Sequence, residues 1–162
     1  QVVVVVQNLA IGQPYQGGII AYIDSTGQHG LIAATAEQSE GIQWYGINGD
    51  YIATGATGTA IGTGLTNTNT IIAAQGSGSY AASIAQEYNG GGYTDWYLPS
   101  KNELNILYEN KTAIGGFTNY YYWSSTEFDK NFSDAWSQDF YDGNQSDDNK
   151  SFPNYVRAVR AF

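Results

Sequence analysis

A single stretch, Gly90 to Leu107, constrains the fold more than any other part of the chain. It reads G-G-G-Y-T-D-W-Y-L-P-S-K-N-E-L-N-I-L. Ser100 and Glu103 have the spacing of a capping box, in which each side chain hydrogen-bonds the backbone N–H of the other residue. Pro99 lies just outside the cap and holds Leu98 extended. The stretch therefore predicts a strand end, a corner and a helix that ends by about residue 110.

Two more helices are predicted before this stretch. Asn67 or Asn69 is a suitable N-cap for a helix that ends at the glycines of 76–78. A second helix is predicted from Tyr80 to Tyr88, where small and apolar residues recur at helical spacing. We expect the glycine-rich segment 46–64 to be an irregular loop, because it lacks the G-K-[ST] ending of a phosphate-binding loop.

Strands are predicted where β-branched and aromatic residues lie between turn residues. The turn Asp142-Gly143-Asn144 follows the predicted strand Ala135–Tyr141. Apart from this strand, we expect the polar segment Phe128–Ser151 to be largely loop. The predicted strands are Ile19–Ile23, Leu31–Ala34, Tyr120–Thr126, Ala135–Tyr141 and Tyr155–Phe162.

Two arginines occur in the last predicted strand, Arg157 on one face and Arg160 on the other. Arginines in such positions are usually held by carboxylates and carbonyl oxygens. Asp95, Glu103 and Glu127 are the candidate partners. We therefore interpret both arginines, with Asp95, Ser100 and Glu103, as structural residues.

The length of 162 residues fits one domain that buries its own core. We divide the chain into an N-terminal segment, 1–8, and a single domain, 9–162. The segment holds five consecutive valines, and such a run favours a strand. Two interpretations stay open, a strand of this domain's own sheet and a contact with another subunit through Val2, Val4 and Val6.

Lysine and arginine are absent from positions 1–100, and the net charge is −9. Nucleic acids and other polyanions need a clustered basic face, so no nucleic-acid partner is expected. No run of about 18 apolar residues occurs, so no membrane insertion is expected either.

Catalysis has little chemistry to draw on in this sequence. There is no cysteine and one histidine, His29, for which no orienting partner is identifiable. Nucleophile elbows and histidine clusters for metals are also missing. The sequence indicates a protein that is not an enzyme and requires no cofactor.

A set of segments along the chain carries a family pattern, including Y-Q-G-G-I-I-A-Y-I (15–23), G-Q-H-G-L-I-A-A (27–34), I-Q-W-Y (42–45), G-G-Y-T-D-W-Y-L-P-S-K-N-E-L (91–104), Y-W-S-S-T-E (122–127) and V-R-A-V-R-A-F (156–162). Through these segments the chain resembles the Lcl C-terminal domain family, in the same order from about Leu9 to Phe162. The family forms the terminal domain of bacterial collagen-like adhesins and occurs in phage proteins. Its resemblance implies an α+β, C-type-lectin-like fold, with two to three helices packed on short mixed or antiparallel sheets with long loops. It also implies an extracellular location, on a cell surface or virion.

In lectin-like folds the long loop region near the late strands bears the ligand. Aromatic rings that stack on sugars, with amide and carboxylate groups that bond hydroxyls, are the chemistry of such sites. The candidate ligand-binding residues are Trp136, Tyr141, Asp142, Asn144 and Gln145.

Oxygen-bearing side chains in the same region are also candidate calcium ligands. The segment lacks the full EF-hand spacing and its closing glutamate, so a solvated acidic loop is the alternative. The candidate metal ligands are Asp142, Asn144, Asp147 and Asp148.

Two functions follow as hypotheses. The first is an adhesin-tip or phage-tail type module that binds a surface glycan or protein. The alternative is a structural subunit of an extracellular filament, with the valine segment in contact with a neighbouring copy. A homo-oligomer, trimer or polymer, is expected by analogy with collagen-stalk proteins.

Overall fold

The structure is a computed structural model that describes residues 8–46 and 51–162. Val2, Val4 and Val6 lie outside the described residues, so the proposed subunit contact stays a prediction, as does the division of the chain at residue 8. In the described part, no helix has the length and apolar character needed to cross a bilayer.

Strands and helices are numbered here in chain order. The strands are β1 (Pro14–Tyr15), β2 (Gly18–Ile23), β3 (Gly30–Ala33), β4 (Ser39–Ile42), β5 (Tyr121–Glu127), β6 (Asp134–Asp139), β7 (Gln145–Asn149), β8 (Asn154–Val156) and β9 (Val159–Ala161). The helices are α1 (Gly64–Gln75), α2 (Ala81–Glu87), α3 (Lys101–Glu109) and α4 (Lys111–Ile114).

The strands form two sheets. The first has the order β1-β2-β3-β9 and is antiparallel. The second has the order β4-β8-β5-β6-β7 and is mixed, because β5 and β8 run parallel. The predicted α+β class is therefore confirmed, and the arrangement is compatible with a C-type-lectin-like fold.

Fully buried tryptophans occupy the core between the sheets and helices. Trp44, Trp96 and Trp123 each have at most 1% of their surface exposed. Their indole N–H groups are satisfied by carbonyl oxygens, as buried polar groups require. Trp44 donates to Ser124 O at 2.8 Å and Trp123 to Ile42 O at 2.8 Å, so the two rings join β4 and its following loop to β5.

Helix α1 begins earlier than expected. Thr63 is its N-cap, and Asn67 and Asn69, the predicted caps, lie within the helix. Asn67 is buried and bonds both backbone groups of Gly58, its Nδ2 donating to Gly58 O at 2.6 Å. The amide group that would cap a helix end hydrogen-bonds here to the backbone of a loop that packs against the helix. The prediction of Asn67 as a cap is therefore wrong.

The capping box of α3 is present as predicted. Glu103 N donates to Ser100 Oγ at 3.3 Å, and Ser100 N donates to Glu103 Oε2 at 2.7 Å. Glu103 is fully buried and also accepts from Gly62 N at 2.8 Å. The expected pairing of Glu103 with an arginine is wrong, since its oxygens are taken by backbone N–H groups of two segments. A Cβ at Gly64 would lie 2.2 Å from Glu103 Oε2, which accounts for the glycine.

The last predicted strand is two strands in two different sheets. β8 belongs to the second sheet and β9 to the first, and Arg157 lies between them. Its buried guanidinium donates to three carbonyl oxygens, those of Ala34 (2.6 Å), Gly116 (2.9 Å) and Gly115 (2.9 Å). Burial lowers the pKa of Arg157. The three carbonyl oxygens, together with the Glu37 carboxylate 3.6 Å away, offset the free-energy cost of burying the charge.

Arg160 makes the ion pair with Asp95 that the sequence suggested. Nε donates to Asp95 Oδ1 at 2.7 Å and Nη2 to Oδ2 at 2.9 Å. The guanidinium also lies 3.9 Å from the ring centre of Tyr93. Arg160 thus fixes the loop before α3 to strand β9 by a two-point contact.

The sequence suggests Glu127 as a partner of an arginine, and the structure shows otherwise. Glu127 pairs with buried Lys150, whose Nζ lies 2.5 Å from Oε1. It also accepts from Thr54 N at 2.9 Å and Gly55 N at 2.9 Å. Burial lowers the pKa of Lys150, although Glu127 opposes the shift. This pair therefore fastens the glycine-rich loop to the end of β5.

We expect Glu103→Ala to destabilise the protein by about 3 kcal/mol, because it removes a helix cap and leaves the N–H groups of buried Ser100 and of Gly62 without their acceptor. Urea unfolding followed by tryptophan fluorescence measures the loss. Glu103→Gln, which keeps one acceptor oxygen, serves as the matched comparison and should lose less. A loss below about 1 kcal/mol for Glu103→Ala would contradict the assigned role.

The Asp95–Arg160 pair gives stability that depends on pH. The hydrogen bond from Arg160 holds the pKa of Asp95 below its ordinary value of 3.8, so the stabilisation is present above that value and is lost as the pH falls through the folded-state pKa. At neutral pH we expect Asp95→Asn to cost about 1 kcal/mol, since Asp95 is half exposed. The difference from the unmodified chain should shrink in unfolding curves taken below pH 3.8. A difference in the free energy of unfolding that is equal at all pH values would contradict this prediction. Asp129→Asn is the control for removal of a surface charge.

Candidate binding surface

Three exposed tyrosines lie at one end of the second sheet. Tyr120, Tyr121 and Tyr141 expose 60%, 42% and 72% of their surfaces. Tyr121 pairs directly with Asp139 across β5 and β6, and Tyr120 O accepts from Phe140 N at 3.0 Å. The backbone thus places Tyr120, Tyr121, Asp139, Tyr141 and Asp142 at one end of β5 and β6, and we call this end the tyrosine surface. Tyr121 shares its face of the sheet with Asp139, whereas Tyr120 packs on Tyr155 on the side of buried Tyr122.

The turn between β6 and β7 holds its side chains in place through local hydrogen bonds. Tyr141 N donates to Asp139 Oδ1 at 2.8 Å, and Asn144 N donates to Asp142 Oδ1 at 2.9 Å. Gly143 has a positive φ of 86°, and a Cβ there would lie 2.4 Å from the Tyr108 ring. Glycine is required at this position because the turn packs tightly on α3.

Aromatic packing holds the ring of Tyr120 in place. The Tyr120 ring stacks on Tyr155 with centres 5.0 Å apart and planes 12° apart. Tyr155 in turn contacts buried Tyr122, with ring centres 5.4 Å apart. The exposed ring of Tyr120 is therefore held by its neighbours rather than free to rotate.

Carboxylates set the electrostatics of this surface. The charge of Asp139, followed by burial and by the charges of Asp148 and Asp142, raises the pKa of Tyr121. The Tyr121 hydroxyl therefore stays protonated and can donate a hydrogen bond, while the carboxylates accept. Flat aromatic faces next to donors and acceptors are the features that bind the apolar faces and hydroxyls of sugars.

The five candidate ligand residues fall into two groups. Tyr141, Asp142 and Asn144 lie together in the β6–β7 turn. Trp136 lies beside α3 instead, with Lys101 Nζ 3.3 Å from its ring centre, and Gln145 Nε2 donates to Lys101 O at 2.8 Å. The contact with Lys101 occupies a face of the Trp136 ring, so stacking on a sugar would require displacement of that side chain.

Tyr120, Tyr121 and Asp139 were missed as candidate ligand residues. They lie in predicted strands, and the sequence places Tyr120 and Tyr121 directly before buried Tyr122 and Trp123. Chemically identical neighbours give no sign of which tyrosine is exposed. Strand β5 gives no alternating pattern that would identify Tyr121, because every residue from Tyr122 to Glu127 is buried.

The candidate calcium ligands do not converge. Asp142 binds Asn144 within the turn, whereas Asp147 and Asp148 lie in β7, a strand within the segment expected to be loop. Neighbouring strand residues point to opposite faces, and Asp148 Oδ2 already accepts from Ser137 Oγ at 2.6 Å. Within residues 8–46 and 51–162, no three His, Cys, Asp or Glu side chains are grouped to hold a metal ion. Calcium binding stays a prediction.

Basic side chains contribute little to the surface charge. Lys150 and Arg157 are buried, and Arg160 is paired with Asp95. Lys111 donates to the carbonyl oxygen of Phe140, and Lys101 lies over Trp136. Of the lysines and arginines, all of which lie in the described part of the chain, Lys130 remains, exposed in the loop at the opposite end of β6.

Comparison with protein-family models matches residues 33–160 to the Lcl C-terminal domain. The match covers most of the chain and agrees with the resemblance from the sequence, although that resemblance began earlier, near Leu9. The family is associated with extracellular, adhesin-like proteins. No curated protein matches the chain.

Of the two alternatives for these residues, calcium site or solvated acidic loop, we expect the second to govern stability, because Asp142 and Asp148 already accept hydrogen bonds from Asn144 and Ser137. Melting curves in millimolar calcium and in excess chelator should coincide. A rise in melting temperature with calcium, lost on Asp142→Asn, would instead establish a metal site.

Proposed function

The chain belongs to the Lcl C-terminal domain family, and on this premise we propose that it is an extracellular, non-enzymatic module that binds a surface glycan. The tyrosine surface is the observation that carries the proposal. An adhesin tip or a phage tail is the setting that fits it best. A protein ligand on the target surface is the alternative occupant.

Exposure and preorganisation support the tyrosine surface as the binding site. Tyr141 is 72% exposed at the tip of a turn that its own hydrogen bonds hold rigid. Tyrosine offers a large amphipathic contact at a low cost in side-chain entropy. A ligand that binds such a surface loses little free energy to reorganisation of the protein.

Charge restricts the class of glycan. Asp139 and Asp142 flank the tyrosines. Among the lysines and arginines of the described residues, Lys111 comes near this end of the sheet, where it donates to the carbonyl oxygen of Phe140, and the others are buried, paired or located elsewhere. A sulfated or other polyanionic glycan would meet repulsion here. The proposed ligand is a neutral or amino-bearing glycan, whose hydroxyl and amino groups can donate to these carboxylates.

A structural role in a filament is the second hypothesis from the sequence. It depends on Val2, Val4 and Val6 as the contact with a neighbouring copy, and these residues lie outside the described ones. Formation of a homo-oligomer accordingly stays a prediction, and the glycan-binding proposal does not depend on it.

The proposal is tested with a glycan array on the intact chain. We expect binding to neutral or amino-bearing glycans, with sulfated glycans bound less, and a loss of about tenfold in affinity for Tyr121→Ala and for Tyr141→Ala because each removes a stacking ring. Phe132→Ala is the matched control, since Phe132 is 57% exposed at the opposite end of β6.

Melting temperatures of the three variants should stay near that of the unmodified chain, which separates loss of binding from loss of fold. The proposal fails if no glycan binds, or if Phe132→Ala reduces binding as much as the tyrosine variants do.

A further inference from the structure

A cleft of about 460 Å³ lies between the turn that joins β2 to β3, the start of α1 and the end of β9. Its volume is within the range of small-molecule sites. Elements of the first sheet and α1 line it, so it is separate from the tyrosine surface on the second sheet. His29, which has no part in the proposed glycan site, lies at its edge.

One wall of the cleft is apolar yet exposed. Ile61 and Leu65 lie four positions apart across the start of α1, and each exposes 44% of its surface. Phe162 lines the same cleft. Neighbouring exposed aliphatic side chains that line a concave surface are typical of ligand sites.

The floor of the cleft is fixed by buried contacts. Tyr97 lines it and is 3% exposed, with its backbone paired to Val159. The Tyr97 hydroxyl lies 3.5 Å from Glu103 Oε1, and Gly62 N donates to the same oxygen at 2.8 Å. Floor and apolar wall are therefore joined through one buried carboxylate, and the cleft is preformed.

The opposite side of the cleft carries a carboxylate. Within the described residues, the hydrogen bonds to Asp24 end on Oδ1, from Thr26 N at 3.0 Å and Thr26 Oγ1 at 2.5 Å. The bond from the Thr26 hydroxyl lowers the pKa of Asp24, so the group is ionised at neutral pH and Oδ2 can accept from a ligand. None of the lining residues is a lysine or arginine.

We propose that this cleft binds a small organic amine. The protonated amino group would lie against Asp24, and an apolar body of about the size of a benzene ring would lie between Leu65 and Phe162. The Asp24 carboxylate, with no lysine or arginine among the lining residues, selects a cation over an anion. The apolar wall selects an organic ammonium ion over a hydrated metal ion.

The test uses phenethylamine as the probe, titrated into the uniformly ¹⁵N-labelled intact chain. We expect saturable shifts of the backbone amide signals of Gly30, Gly62 and Leu65, which line the cleft. Phenylacetate, with the same ring and the opposite charge, should bind at least about fivefold more weakly. The signals of the tyrosine surface should not move.

Two variants test separately the contact of the amino group with Asp24 and the contact of the ring with Leu65. Asp24→Asn keeps the Oδ1 acceptor for Thr26 and should weaken phenethylamine binding about fivefold while leaving 2-phenylethanol binding unchanged. Leu65→Ala should weaken the binding of both. Asp129→Asn, an exposed carboxylate in the β5–β6 loop, is the control and should change neither.

The proposal is overturned if phenylacetate binds as tightly as phenethylamine, if Asp24→Asn leaves amine affinity unchanged, or if the shifts do not saturate. A glycan array that shows no binding would not affect the result of the amine titration, because the two sites share no residue.

Discussion

The position of Arg157 is the constraint on which the arrangement of the two sheets depends. The chain passes from β8 in one sheet to β9 in the other within two residues, and Arg157 fills the gap between them. Its guanidinium binds carbonyl oxygens after β3 and after α4, and lies 4.3 Å from the ring centre of Phe117. Backbone carbonyls that would otherwise be unpaired are thereby satisfied by one buried cation. The tyrosine surface and the amine cleft belong to different sheets, so their relative position is fixed by the same crossing.

Local signals in the sequence predicted the elements that are specified locally. The capping box of Ser100 and Glu103 was recognised because its chemistry needs only four consecutive residues. Asn67 was assigned the wrong role because its partner, Gly58, is a loop residue on the far side of the cap. The division of the last segment at Arg157 could not be predicted, since it depends on which sheet each half joins. Long-range pairing decides that, and the alternation of residues alone does not.

The candidate ligand residues illustrate the same limit at the surface. Asp142 and Asn144 were found because an Asp-Gly-Asn turn has a recognisable composition. Trp136 was included for its chemistry, but the exposed faces at this end of the sheet belong to tyrosines that the sequence does not distinguish from buried ones. Exposure is a property of the packed sheets, and here it depends on the register between Tyr121 and Asp139.

Strand β7 has a consequence for how copies of the chain meet. Among the strands of residues 8–46 and 51–162 it is an outer strand of the second sheet, and it reads Gln-Ser-Asp-Asp-Asn, with no apolar side chain. An exposed strand edge is a template for adding a strand from another molecule, and charged residues on that edge oppose the addition. Two copies that approached through β7 would bring Asp147 and Asp148 of each chain close together. Edge-to-edge pairing of two copies through β7 is therefore opposed by the repulsion between these carboxylates.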